Sequence, residues 1–134
     1  MTDIIKISGI GPVYAKKLKD VGIETVEDFL KAGASPEGRN DLEQKTGFSH
    51  TTILEWINRA DLSRVKGVGE QYSDLLEVAG VDTIVELAKR NPGDLTKKME
   101  AVNKEKKLVR KVPTLTQVKK WIDQAKKLPR VVTY

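Results

Sequence analysis

Residues 7–18 read ISGIGPVYAKKL, and residues 65–76 repeat this pattern as VKGVGEQYSDLL. The same offset of 58 residues pairs GIET at 22–25 with GVDT at 80–83. A match held at one offset predicts two copies of one structural unit. We therefore expect two pseudo-repeated units packed in tandem, residues 1–60 and residues 61–134.

Each copy contains a Gly-x-Gly turn that opens a helix. We call residues 8–11 the first Gly-x-Gly loop and residues 66–69 the second Gly-x-Gly loop. Glycine permits a positive φ or a close backbone approach. A helix N-terminus carries unpaired N–H donors and partial positive charge, which suit a phosphate. The glycines could equally serve only a tight turn between helices.

Helix signals continue along the whole chain, and no stretch predicts a sheet, so the predicted fold class is all-α. Ser or Thr stands where helices begin, followed by an acidic residue or a proline, as at Thr25 and Ser35. The helix predicted at 12–21 places Tyr14, Leu18 and Val21 on one apolar stripe. This stripe predicts that Tyr14 and its counterpart Tyr72 pack in a core rather than stack on bases.

Two tryptophans mark equivalent predicted core helices. Ile53, Trp56, Ile57 and Ala60 have the same spacing as Val118, Trp121, Ile122 and Ala125. Both tryptophans are therefore expected to be buried. Leu42 precedes Trp56 by 14 residues, whereas Leu95 precedes Trp121 by 26. The second unit thus contains about twelve extra residues, roughly 102–113.

Composition excludes several classes of function. The chain has no cysteine and one histidine, His50, so thiolate metal sites and disulfides are excluded and another metal site is not expected. No nucleophile–base constellation, nucleotide loop or marked pair of carboxylates is present, and we predict no enzyme activity. No apolar run approaches a membrane span. We expect a cytoplasmic protein without membrane association.

The net charge of +5 is unevenly distributed. Residues 1–60 carry 8 basic and 9 acidic side chains, and residues 61–100 carry 6 and 8. Residues 101–134 carry 10 basic and 2 acidic side chains. A nearly neutral body with a basic final quarter favours a polyanionic or acidic partner for that quarter.

The sequence pattern of residues 9–23 resembles the helix-hairpin-helix motif of recombinase N-terminal domains and Holliday-junction proteins. This pattern is Gly-Ile-Gly-Pro-x-x-Ala-x-x-Leu-x-x-x-Gly-Ile. The whole chain, including the WINRADL stretch at 56–62, looks still more like a bacterial family of unknown function that carries two such units. The resemblance implies backbone-phosphate binding without base reading. It also implies that a monovalent cation could be held by hairpin carbonyls; no other cofactor is expected.

The predicted contacts with nucleic acid lie in the two loops and in the extra residues of the second unit, about 102–113, which we call the basic insertion. Acidic side chains follow the second loop, with Glu70 in place of Pro12 and Asp74 in place of Lys16. Their negative charge repels a phosphate and makes phosphate binding less favourable at this loop. Four lysines and an arginine of the final helix and its end add positive charge: Lys119, Lys120, Lys126, Lys127 and Arg130. The predicted contact residues are Ser8, Gly9, Ile10, Gly11, Lys16, Lys17, Lys66, Gly67, Val68, Gly69, Lys104, Lys106, Lys107, Arg110 and Lys111.

The leading hypothesis is binding of DNA, rather than RNA, without sequence specificity. The alternative is a protein-interaction or scaffolding module that kept the hairpin fold and lost its nucleic-acid ligand. The near-neutral body and the acidic second loop favour this alternative. An acidic protein would then be the partner of the basic insertion.

Overall fold

The computed structural model describes residues 2–134, whose regular secondary structure is helical. It contains no β-strand, only an isolated antiparallel bridge between Asp3 and Thr25. The all-α prediction is confirmed. Among the helices of residues 2–134, none combines the length and apolar character that a membrane span requires. A 3-10 turn and eight α-helices follow in order: Ile4–Lys6, α1 (Pro12–Asp20), α2 (Val26–Gly33), α3 (Pro36–Thr46), α4 (His50–Leu62), α5 (Glu70–Val78), α6 (Ile84–Lys89), α7 (Pro92–Lys106) and α8 (Leu115–Lys127).

The chain divides into two compact units. The first runs through Asp61 and also contains Val131–Tyr134, while the second is Leu62–Arg130. The predicted second unit, residues 61–134, includes residues 131–134. The structure differs there because Val132 is buried in the core of the first unit.

The first unit is built around apolar faces of the 3-10 turn and of α1, α2 and α4. Ile4, Leu18, Phe29 and Ile57 are essentially inaccessible to solvent. Trp56 is 4% exposed, which confirms its predicted burial. Burying side chains of this size removes apolar surface from water and drives the packing of these helices.

A capping box fixes the start of α2. The Thr25 hydroxyl accepts a hydrogen bond from the Asp28 N–H at 3.0 Å. The Asp28 carboxylate accepts in return from the N–H groups of Thr25 and Glu24, each at 3.2 Å. Three N–H donors are satisfied, those of Thr25 and Asp28 reciprocally as the sequence predicted.

A buried arginine holds the C-terminal tail in the first unit. Arg39 is 2% exposed, and its guanidinium donates to the carbonyls of Gly33 at 2.9 Å and Thr133 at 2.6 Å. The Thr133 N–H donates to the Ala34 carbonyl at 2.8 Å. Gly33 and Ala34 end α2, so the guanidinium also meets the negative end of that helix.

In the second unit α8 packs on α6 and α7. Trp121 is 3% exposed, again as predicted. Thr83 caps α6 by accepting from the Glu86 N–H, but no reciprocal capping box forms there as it does at Thr25. The Glu86 carboxylate accepts from the Arg90 Nε at 3.0 Å instead of closing the box.

The structure corrects the predicted extent of the insertion. The extra residues of the second unit lie in α7, with 15 residues against 11 in α3, and in the following loop, 107–114 against 47–49. The insertion is thus nine residues rather than twelve, and its first part is helical.

Candidate functional site

The first Gly-x-Gly loop joins the 3-10 turn to α1. Gly9 has φ +92°, a conformation that L side chains rarely adopt. A Cβ atom added there would lie 3.0 Å from the Trp56 Nε1. Ile10 points into the core, and its N–H donates to the Ile7 carbonyl at 3.1 Å. Both backbone conformation and packing therefore require glycine at position 9.

The second Gly-x-Gly loop has the same local geometry. Gly67 also has φ +92°, and an added Cβ would lie 3.0 Å from the Trp121 Nε1. Val68 is buried, and its N–H donates to the Val65 carbonyl at 3.1 Å. Each loop therefore packs against the tryptophan of its own unit.

The second glycine of each loop is not explained by the fold. Gly11 and Gly69 have φ of −86° and −93°, which any residue can adopt. No atom lies within 4 Å of a Cβ added at either position. Both are helix N-caps without a side-chain hydrogen bond, whereas a side chain caps each of the other six α-helices. The capping residues of those six are Thr25, Ser35, Ser49, Thr83, Asn91 and Thr114.

Because no side chain caps α1 or α5, backbone N–H groups in the first turn of each helix have no hydrogen-bond acceptor from a cap. Within residues 2–134, no carbonyl accepts a hydrogen bond from the N–H of Val13 or Tyr14, and the same holds for Gln71 and Tyr72. These groups point out of a helix N-terminus, where the helix dipole adds partial positive charge. Such N–H groups can donate hydrogen bonds to a phosphate oxygen.

Positive side chains surround the first loop. Lys16 and Lys17 are exposed on α1, and the Lys17 ammonium lies 5.5 Å from the centroid of the Phe48 ring. Arg59 donates to the Ser8 carbonyl at 2.9 Å. Arg59 is not among the predicted contact residues, although its position three residues after Trp56 places it one turn further along α4.

Gln124 occupies the corresponding place under the second loop. Its side chain accepts from the Lys66 N–H at 2.9 Å and donates to the Lys66 carbonyl at 3.5 Å. A neutral amide therefore replaces the guanidinium of the first unit. Glu70 is exposed at the first position of α5, as the sequence analysis anticipated.

The Asn103 side chain holds the backbone of the predicted basic insertion at Val109. Asn103 accepts from the Val109 N–H at 3.0 Å and donates to the Val109 carbonyl at 3.1 Å. Lys107 ends α7 in the left-handed conformation, with φ 50°. Five exposed cations, which we call the basic segment, make no ion pair within residues 2–134. They are Lys104, Lys106, Lys107, Arg110 and Lys111.

The basic segment contacts the helix that follows the second loop. The Tyr72 hydroxyl, in the first turn of α5, donates to the Lys111 carbonyl at 3.0 Å. The basic segment and the second loop belong to the second unit, and the first loop belongs to the other unit. The further cations of α8 and its end are exposed as well: Lys119, Lys120, Lys126, Lys127 and Arg130.

The predicted burial of Tyr14 is wrong. Its side chain is 45% exposed, because the buried face of α1 is formed by Ala15 and Leu18. The ring lies at the border of the core, 5.3 Å from Phe48 and 5.5 Å from Trp56 between centroids. Val21, also predicted on the stripe, is half-buried.

The family comparison covers both loops and the basic segment. The family model described as "Domain of unknown function (DUF4332)" matches residues 8–128. The chain belongs to this family. No curated protein and no solved structure matches the chain. The function must therefore be inferred from the geometry of the site.

The predicted monovalent cation would need free loop carbonyls. At the first loop the Ser8 carbonyl already accepts a hydrogen bond from the positively charged guanidinium of Arg59. In the part of the chain that the structure describes, no cluster of three or more His, Cys, Asp or Glu side chains could hold a metal ion. The cation stays a prediction.

Proposed function

We propose that this protein binds nucleic acid, DNA rather than RNA, through its backbone phosphates and without reading base sequence. The two Gly-x-Gly loops would act as helix-hairpin-helix hairpins of a tandem repeat. The resemblance of residues 9–23 to such hairpins supports this reading, and so does the agreement of loop geometry between the units.

One observation carries the proposal, namely glycine at the N-caps Gly11 and Gly69. Serine or threonine at an N-cap satisfies helix donors and is at least as stabilising as glycine. Here the backbone is extended and the space is open, so the fold would accept such a side chain. A glycine that the fold does not need leaves the N–H groups accessible to a ligand.

A phosphate is the ligand that fits these donors at the first loop. It would accept from the N–H groups of Val13 and Tyr14, and Lys16 and Lys17 would add charge-assisted contacts. In the second unit one residue of the basic segment contacts α5 through its backbone, and the cations of the segment would offset the charge of Glu70. Such contacts give an affinity that falls as salt rises.

Fluorescence anisotropy with labelled duplex, branched and single-stranded DNA over a range of salt concentrations tests the proposal. Gly11→Ser with Gly69→Ser would place a hydroxyl on the donors. We expect an affinity loss of about tenfold or more, since hydrogen bonds to charged groups contribute about 1.5–3 kcal/mol. Thermal stability should be unchanged or slightly raised.

Gly93→Ser is the matched control, because Gly93 lies in the first turn of α7 and a Cβ there makes only an ordinary contact. This variant should bind DNA like the wild type. Equal binding by the loop double variant and the control would remove the loops from the interface. No binding by the wild type at low salt would overturn the proposal.

The second candidate function is protein interaction. Exposed Glu70 at the start of α5 favours it, because a carboxylate there competes with a phosphate for the same donors. If no DNA or RNA binds, the basic segment is better assigned to an acidic protein partner.

A further inference from the structure

A surface pocket of about 500 Å³ adjoins the first Gly-x-Gly loop. Pockets that take small ligands have volumes of about 300–1,000 Å³. This one is lined by Gly9, Gly11, Pro12, Val13 and Tyr14. It contains no acidic side chain, and Val13 is 69% exposed at its edge.

The aromatic wall of this pocket is held in place from behind. Tyr14 makes an edge contact with Phe48, and both rings pack on Trp56, with centroids 5.2–5.5 Å apart. The Tyr14 hydroxyl makes no hydrogen bond in the described part of the chain. An anchored ring that still exposes 45% of its side chain loses little conformational freedom when a ligand stacks on it.

We propose that an unpaired nucleobase stacks on Tyr14 in this pocket, which makes single-stranded nucleic acid the preferred ligand of the first loop. This inference rests on the proposed function, since the phosphate beside that base would accept from the N–H groups of Val13 and Tyr14. One residue would then contact both parts of a nucleotide.

The chemistry of the pocket favours a nucleotide over other occupants. Its lining offers an aromatic ring and apolar side chains, and exposed Lys16 and Lys17 follow on the same helix. A nucleotide combines a flat π-face with a negative charge, and base–aromatic stacking tolerates any base. In a duplex the base faces are already stacked on each other, so they are not available to Tyr14.

The second loop lacks this arrangement and provides the control. Gln71 replaces Val13, and Tyr72 is half-buried with its hydroxyl bonded to the Lys111 carbonyl. Stacking should therefore depend on Tyr14 and not on Tyr72.

The test compares oligodeoxythymidylate with a strand of the same length whose sugars lack bases. Wild type should bind the base-bearing strand more tightly by about 5- to 150-fold, the range for one stacked base. Tyr14→Leu should bind both strands alike, Tyr14→Phe should keep the preference, and Tyr72→Phe should keep it too. Melting curves check that each variant is folded.

The outcomes separate this inference from the proposed function. If wild type binds both strands alike, or if Tyr14→Leu keeps the preference, phosphate binding stands and the base pocket is wrong. If wild type binds neither strand nor duplex DNA, the proposed function fails, and the pocket with it. The exposed surface of Val13 and Tyr14 would then be assigned to the binding of a protein partner.

Discussion

At the scale of single residues, the two glycines of each loop have separate roles. Gly9 has a positive φ and lies against Trp56, so Gly9→Ala should lower the free energy of unfolding by about 1–2 kcal/mol through backbone strain alone. Crowding against the Trp56 Nε1 adds to this loss. Chemical denaturation measures it.

Gly11→Ala provides the comparison, because its φ is negative and its surroundings are open. It should change stability less than Gly9→Ala does. Equal losses at the two positions would show that the strain assigned to Gly9 is not present in solution.

At the scale of elements, the capping box of α2 makes the first unit sensitive to acid. Hydrogen bonds from the Glu24 and Thr25 N–H groups to the Asp28 carboxylate hold the pKa of Asp28 below its ordinary value of 3.8. The folded state thus favours the charged form. The stability gained is complete above pH 3.8 and is lost as the pH falls through the lower, folded-state pKa.

Asp28→Asn should remove this pH dependence and weaken the cap at neutral pH. Unfolding curves from neutral pH down to about pH 2 for both proteins measure the difference. Asp41→Asn is the control, because Asp41 forms only an exposed pair with Lys45. If the acid sensitivities of wild type and Asp28→Asn coincide, the box does not contribute to it.

The basic segment is the second element that carries a prediction. Replacing its five cations by serine should reduce the slope of log affinity against log salt by several units, since each neutralised phosphate adds about 0.9. Stability should change little, because these side chains are exposed and make no ion pair in residues 2–134. Binding measured at several salt concentrations gives the slope.

Lys97 and Lys98 lie on α7 outside the segment and are also exposed. Their replacement by serine should alter the slope less than Arg110→Ser with Lys111→Ser. A larger effect from Lys97 and Lys98 would contradict the assignment of the segment to phosphate binding.

At the scale of the whole molecule, the C-terminal tail belongs to the first unit. Deleting residues 131–134 exposes the site of Val132 and removes the Thr133 carbonyl from Arg39. Burial of one valine contributes about 1.5–3 kcal/mol, and the buried guanidinium would lose an acceptor. Hydrogen exchange should therefore show faster opening of α2–α4.

The second unit provides the internal control for this deletion, because its core contains none of the deleted residues. Protection of α5–α8 should stay close to that of the wild type. Equal loss of protection in both units would mean that the tail does not act on the first unit alone.

The sequence by itself determined the helices and their caps, since these depend on residues only a few positions apart. The Thr25 and Ser35 caps and the burial of Trp56 all followed from local spacing. The repeat also placed both Gly-x-Gly loops, because their turn geometry depends on the glycines themselves. The phosphate contacts assigned to the loops stay predictions.

Only the tertiary structure decided which surfaces stay open and which distant groups meet. Tyr14 lies at the border of the core, where its ring packs against Phe48 and Trp56, 34 and 42 positions away in the sequence. Arg39 meets Thr133 across 94 residues of chain, and Arg59 meets Ser8 across 51. Helical periodicity describes one element at a time, whereas burial and hydrogen bonding of this kind depend on neighbours that the fold brings from elsewhere in the chain.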